Sequence, residues 1–190
     1  TATDTGWHKE EIGLPGMGSA DIVSTSDTSD DFLFSYDDFV TPSSLYLVRG
    51  DGQPEVLKSS PARFDASGME VAQHEATSKD GTRIPYFLVT PKGFEANGKN
   101  PTMLYGYGGF EVSMRPRYTG TVGSGWVERG GVYVMANIRG GGEFGPRWHQ
   151  AALKENRIKA FTDFIAVAED LMARKITSPR HLGIMGGSQG

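Results

Sequence analysis

The last five residues of the sequence, Gly186-Gly187-Ser188-Gln189-Gly190, have the pattern G-x-S-x-G. That pattern suits a serine nucleophile for a steric reason. A hydroxyl attacks an acyl carbon only if it stands clear of its own backbone, and a sharp strand-to-helix turn achieves this by holding the serine in a strained conformation. Strand and helix then approach so closely that the residues two before and two after must be small. Gly and Ser are common in this chain, so the five letters alone also fit a glycine-rich turn with an ordinary serine. Context favours the nucleophile: residues 181–185 read as a short strand running straight into the motif.

A serine needs a base, and the base needs an orienting carboxylate. In hydrolases built on this turn the order is Ser, then Asp or Glu, then His. Nothing follows Gly190, so the chain is expected to be truncated at the nucleophile elbow. The remainder of its own polypeptide would then supply the acid and the base. The histidines present, His8, His74, His149 and His181, all precede the serine. His149, in a loop after a strand end, is the one upstream candidate base; a surface or capping role suits all four better.

A second glycine-rich stretch, GGGEFG at residues 140–145, fits G-x-G-x-x-G and follows a predicted strand. A dinucleotide site would need this turn to open a helix at once, with an acidic residue ending the next strand. Pro146, Arg147 and Trp148 follow instead. A tight loop beside a cleft is the better reading, with a nucleotide-binding module kept as an alternative.

Composition narrows the classes. Hydrophobic residues make up 37% of the chain, as in a soluble globular protein, and no run of eighteen apolar residues offers a membrane span. The start, TATDTGWHKE, has neither an initiating Met nor a signal stretch, so the natural start is expected to be missing. The absence of Cys removes disulfides and thiolate metal sites, and no metal or cofactor is expected. The compartment, cytoplasmic or periplasmic, stays open. A net charge of -4 argues against nucleic-acid binding. Residues 1–60 carry 3 Lys and Arg against 11 Asp and Glu, whereas residues 61–190 carry 16 against 12. That contrast suggests two modules joined near residues 60–70.

The elements that must position the serine follow from periodicity. In the first module, residues 20–26, 31–36, 44–49 and 54–57 read as short strands between Ser-Asp clusters, Thr41-Pro42 and Asp51-Gly52. Four such strands make a propeller blade or any other β-meander. In the second, residues 69–78 and 83–90 flank Lys79-Asp80-Gly81-Thr82 as a hairpin. Residues 101–105 and 132–138 read as further strands, and 117–129 as an irregular helix. Residues 157–174 form the clearest helix, with Ile158, Phe161, Ile165, Ala168 and Met172 on one face and Asn156 as N-cap. A hairpin followed by alternating strands and helices implies an α/β sheet, with strands 132–138 and 181–185 expected as parallel neighbours.

Several motifs together resemble the prolyl oligopeptidase family. LYGYGGF at 104–110, ANIRGGGEFG at 136–145 with Trp148-His149, and TSPRHLGIMGGSQG at 177–190 look like its catalytic domain in order and spacing. SKDGTRIPYFLVTPKG at 78–93 looks like that domain's opening hairpin. The resemblance implies an incomplete α/β-hydrolase domain at 69–190, preceded at 1–68 by antiparallel strands from the end of a β-propeller and a linker. It implies a serine endopeptidase that cleaves short proline-containing peptides after proline. Ser188 would be acylated, and the Gln189 N–H and the Tyr107 hydroxyl would hold the oxyanion. Phe110 would help wall the proline pocket. Gln189 departs from the family's usual Asn, which a backbone donor tolerates. A different acyl hydrolase, such as an esterase or a basic-residue oligopeptidase, is the alternative. Arg139 and Glu143 are a candidate ion pair of the loop, with no catalytic role.

Overall fold

The computed structural model describes every residue except 1, 4, 5, 8, 10 and 51, so His8 lies outside the described residues. It divides into two compact units: residues 1–63 with 116–120, and residues 64–115 with 121–190.

The first unit opens with two short antiparallel strands, β1 (Ala2–Thr3) and β2 (Gly6–Trp7). Strands β3 (Ser19–Thr25), β4 (Phe32–Asp37), β5 (Ser44–Val48) and β6 (Glu55–Ser59) then make one antiparallel sheet in chain order. All four had a sequence signal, with ends displaced by a residue or two. Alternation buries Phe34, Tyr36, Tyr46 and Val48 on one face. Phe34 and Tyr46, opposite one another in register, stack with centroids 4.9 Å apart. The Tyr36 hydroxyl donates to Asp38 at 2.8 Å, and that carboxylate also accepts from the N–H groups of Val40 and Thr41 to shape the turn into β5. Residues 116–120 return to this unit, where the Ser19 hydroxyl donates to the Pro116 carbonyl and Tyr118 N–H donates to Asp37.

The second unit is built on a five-stranded mixed sheet. Strands β7 (Met69–Thr77) and β8 (Arg83–Pro91) form the expected hairpin, followed by β9 (Thr102–Gly106), β10 (Val132–Ala136) and β11 (Leu182–Met185). The order across the sheet is β11-β9-β10-β8-β7. Helix α1 (Gly120–Gly125) and a 3-10 turn over Val127–Arg129 stand where one irregular helix is expected from sequence. Helices α2 (Pro146–Gln150) and α3 (Ile158–Ala173) complete the unit. Among the described residues no helix is long and apolar enough to cross a membrane.

Three expectations need correction. Strands β10 and β11 run the same way but are not neighbours, because β9 lies between them and pairs in parallel with both. The other edge of β10 is already occupied by β8, and β11 adds to the free edge of β9. Next, α3 buries the opposite face from the one its large apolar residues mark. Ala160, Asp163, Ala166, Val167 and Leu171 are buried, whereas Phe161 and Ile165 are each 52% exposed. Small side chains let the helix lie close to the sheet, where Ala160, Val167 and Leu171 join Ile84, Tyr86, Leu104 and Val134 in the core. Finally, Asn156 is not the N-cap. It belongs to a 3-10 turn over Lys154–Asn156, and Arg157 occupies the cap without a side-chain capping bond.

Candidate active site

Ser188 lies just past the end of β11 and has φ +55°, a left-handed backbone value that a non-glycine residue adopts only at a cost. The Gly190 N–H closes the turn on the Gly187 carbonyl at 2.9 Å. A Cβ on Gly186 would collide with Gly190, and one on Gly190 would collide with the carbonyl of Gly106 at the end of β9. The two outer glycines of G-x-S-x-G are thus in mutual contact, as the steric argument requires. Ser188 is exposed, and its hydroxyl makes no hydrogen bond to another described residue.

Tyr107 follows β9 directly, because the chain leaves the sheet at Gly106. It is half-buried and shares a cavity of about 410 Å³ with Phe161, Phe164, Met185 and Gln189. Neither the Tyr107 hydroxyl nor the Gln189 N–H has a hydrogen-bond partner among the described residues. The Gln189 side chain lies against Gly109, where a Cβ would strike its Cγ. The elbow and the LYGYGGF loop are therefore in contact.

Phe110 is 71% exposed, and both it and Glu111 have positive φ, +52° and +57°. Phe110 lines a second cavity of about 540 Å³ with His149, Lys154, Arg157 and Gln189. Tyr107 and Phe110 thus face different hollows that share only Arg157 and Gln189.

The histidines are accounted for elsewhere. The His149 Nδ1 sits 2.6 Å from the Gly140 carbonyl, to which it donates when protonated, and the Glu111 N–H also donates to that carbonyl at 3.3 Å, joining the loops after β9 and β10. His181 pairs with Ser178. His74 lies tilted against Tyr86, with ring centroids 5.6 Å apart, and burial, followed by the charge of Arg174, lowers its pKa.

The GGGEFG loop is filled by the protein itself. A Cβ on Gly141 would meet the Glu143 carboxylate, and one on Gly142 would meet the Glu111 carbonyl. A carboxylate thus stands where a dinucleotide's phosphates would need space, and the helix that follows has five residues. Arg139 does not pair with Glu143. Its guanidinium donates to Asp163 at 2.6 and 2.8 Å and to Asp80 at 2.6 and 3.1 Å, and its N–H also donates to Asp163. Asp163, fully buried, further accepts from the Ser78 hydroxyl at 2.6 Å. Glu143 accepts instead from the Met114 N–H and the Asn137 amide, and burial raises its pKa.

Sequence reasoning missed two residues. The Asp163 carboxylate anchors the β10 loop, and a lone Asp on the small-residue stripe of α3 was the available signal. Arg157 donates to the Gly108 carbonyl and, at 3.1 Å, to the Gln189 carbonyl. No spacing rule points to it, because its partners are distant backbone atoms.

Known proteins resemble this chain in sequence and fold. Residues 120–190 match the prolyl oligopeptidase family. An uncharacterized peptidase of Sinorhizobium fredii is 50% identical over 186 residues, 97% of this chain and 26% of its own length. A prolyl endopeptidase of Elizabethkingia miricola is 38% identical over 187 residues, 98% of this chain and 26% of its own length. Among solved structures, a post-proline cleaving enzyme from Rickettsia typhi superposes with a TM-score of 0.84 at 41% identity, covering 100% of this chain and 28% of that one. A structure from a study of two prolyl endopeptidases gives a TM-score of 0.89 at 38% identity, with the same coverage. The chain therefore spans about a quarter of the length of these relatives. It contains antiparallel strands of the propeller's end and the start of the α/β-hydrolase domain, and it belongs to the prolyl oligopeptidase family of peptidases.

Proposed function

We propose that the chain carries the nucleophile and the oxyanion donors of a serine endopeptidase that cleaves short peptides after proline. The observation that carries this reading is the elbow: an exposed Ser188 at φ +55° between two glycines in mutual contact. Nothing in packing rewards a serine there, whereas attack on an acyl carbon needs its hydroxyl clear of the backbone. In the proposed reaction the Ser188 Oγ bonds to the scissile carbonyl carbon while its proton passes to a histidine. The carbonyl oxygen becomes an oxyanion that accepts from the Gln189 N–H and the Tyr107 hydroxyl. Collapse expels the amine, protonated by the same histidine, and leaves an acyl-enzyme that water hydrolyses. The histidine and its orienting Asp are assigned to the remainder of the polypeptide, since no described histidine hydrogen-bonds Ser188. Phe110, exposed at the second cavity, is assigned to the wall that receives the proline ring. Residues 1–68 are assigned to the end of the propeller and its linker, and residues 69–190 to the catalytic domain.

The test uses the complete protein. A fluorophosphonate probe is expected to label Ser188 alone, and Ser188→Ala should abolish cleavage of a proline anilide without lowering the melting temperature. Retained cleavage in that variant would remove the nucleophile. A preference for an arginine anilide would keep the nucleophile and overturn the proline assignment.

A further inference from the structure

We propose that Arg157 is a positioning residue that sets the distance between the two halves of the oxyanion site. This rests on the reading that Tyr107 and Gln189 are its donors. One guanidinium nitrogen of Arg157 donates to the Gly108 carbonyl, and the other donates at 3.1 Å to the Gln189 carbonyl. Gly108 is the residue after Tyr107, and Gln189 is itself the other donor residue. The two acceptors thus belong to separate chain segments, the loop after β9 and the elbow after β11. A planar fork spans them with fixed geometry, which a lysine's single ammonium cannot reproduce.

The guanidinium is itself held. It sits 5.5 Å from the centroid of the Phe161 ring, one turn along α3. A Cβ on Gly140 would come within 3.0 Å of Nη1, so the loop after β10 closes over it. Its Nε is buried and has no partner among the described residues. Leaving that donor unsatisfied is unfavourable, so helix stability alone does not account for the placement. Arg157 also lines both cavities, the one holding Tyr107 and the one holding Phe110.

The consequence is specific. The oxyanion needs both donors at hydrogen-bond distance simultaneously, and a displacement of about 1 Å costs on the order of a hundredfold in rate. Loss of the fork should let the two loops drift independently. Turnover should fall far more than ground-state binding, because the Phe110 ring that Arg157 only borders stays in place.

In the complete protein, Arg157→Met is expected to lower kcat by on the order of tenfold to a hundredfold with KM within about threefold. Arg157→Lys should recover only part of this loss. Combined with Tyr107→Phe, Arg157→Met should cost much less than it does alone, because one donor it positions is already gone. If Arg157→Met lowers only the melting temperature and leaves kcat intact, the inference is overturned. It is equally overturned if the two losses multiply in full, or if Arg157→Lys restores wild-type turnover. If Tyr107→Phe alone is silent, the oxyanion reading fails instead, and that outcome is separable because the single variant reports it directly.

Discussion

At the residue scale, the elbow was legible and its surroundings were only partly so. Ser188, Gly186 and Gly190 could be read because their constraint is local: a tight turn forbids Cβ atoms at two fixed offsets. Tyr107 and Phe110 came from resemblance, since nothing in a Tyr-Gly-Gly-Phe stretch dictates which cavity each ring will face. Arg157 was illegible, because its acceptors lie 49 and 32 positions away and are main-chain carbonyls. The Tyr107 hydroxyl has a distinct expected signature. A ground-state carbonyl gains little from it, whereas a developing oxyanion gains a charge-assisted bond. Tyr107→Phe should therefore lower kcat about a hundredfold, or about 3 kcal/mol, with KM nearly unchanged in steady-state assays on a proline anilide. A loss of less than a few-fold would leave Gln189 N–H without its assigned partner.

At the scale of elements, alternation and turn residues mark the strands because those signals are local, whereas the large apolar residues of helix α3 mark the face it does not bury. Its large side chains gave the stronger periodic signal, yet the helix packs through Ala160, Ala166, Val167 and Leu171. The price of that close approach includes a buried carboxylate. Asp163 sits at the centre of bonds from Arg139 and Ser78 that join α3, the β10 loop and the β7–β8 hairpin. Removing one partner strands the other in the interior, so Asp163→Ala should cost about 3–5 kcal/mol in denaturant unfolding. A loss below about 1 kcal/mol would mean that water reaches Arg139 freely. The outer member of the network behaves differently with pH. Hydrogen bonds from Arg139 hold the Asp80 pKa far below the usual carboxylate range. Its contribution is thus fully present above the ordinary value of about 4 and is lost as pH falls toward the depressed one. Asp80→Asn should destabilise at neutral pH, and its melting temperature should converge on that of the wild type in acid. A gap that widens on acidification would contradict the assignment.

For the molecule as a whole, strand order was the least legible feature, since it depends on which sheet edges are already taken. The proposed active site is distributed in the same way. This 190-residue chain brings an exposed serine and two unpartnered donors together, yet its described histidines are engaged away from Ser188. A serine without its base is a very poor nucleophile, and loss of such a base costs on the order of a millionfold in turnover. What remains is the residual catalysis of the oxyanion donors and of substrate binding, on the order of a thousandfold over water. The isolated chain, checked for a cooperative thermal transition, should therefore fail both to hydrolyse a proline anilide at a measurable rate and to react with a fluorophosphonate. The complete protein should do both under the same conditions. Tyr107→Phe should change nothing measurable in the isolated chain, because the residual rate it would lower is already below detection. Measurable turnover by the isolated chain that vanishes in Ser188→Ala would overturn this division of labour. One of its own histidines would then act as the base, and His149, which lines the cavity beside Gln189, would be the first to replace with Gln.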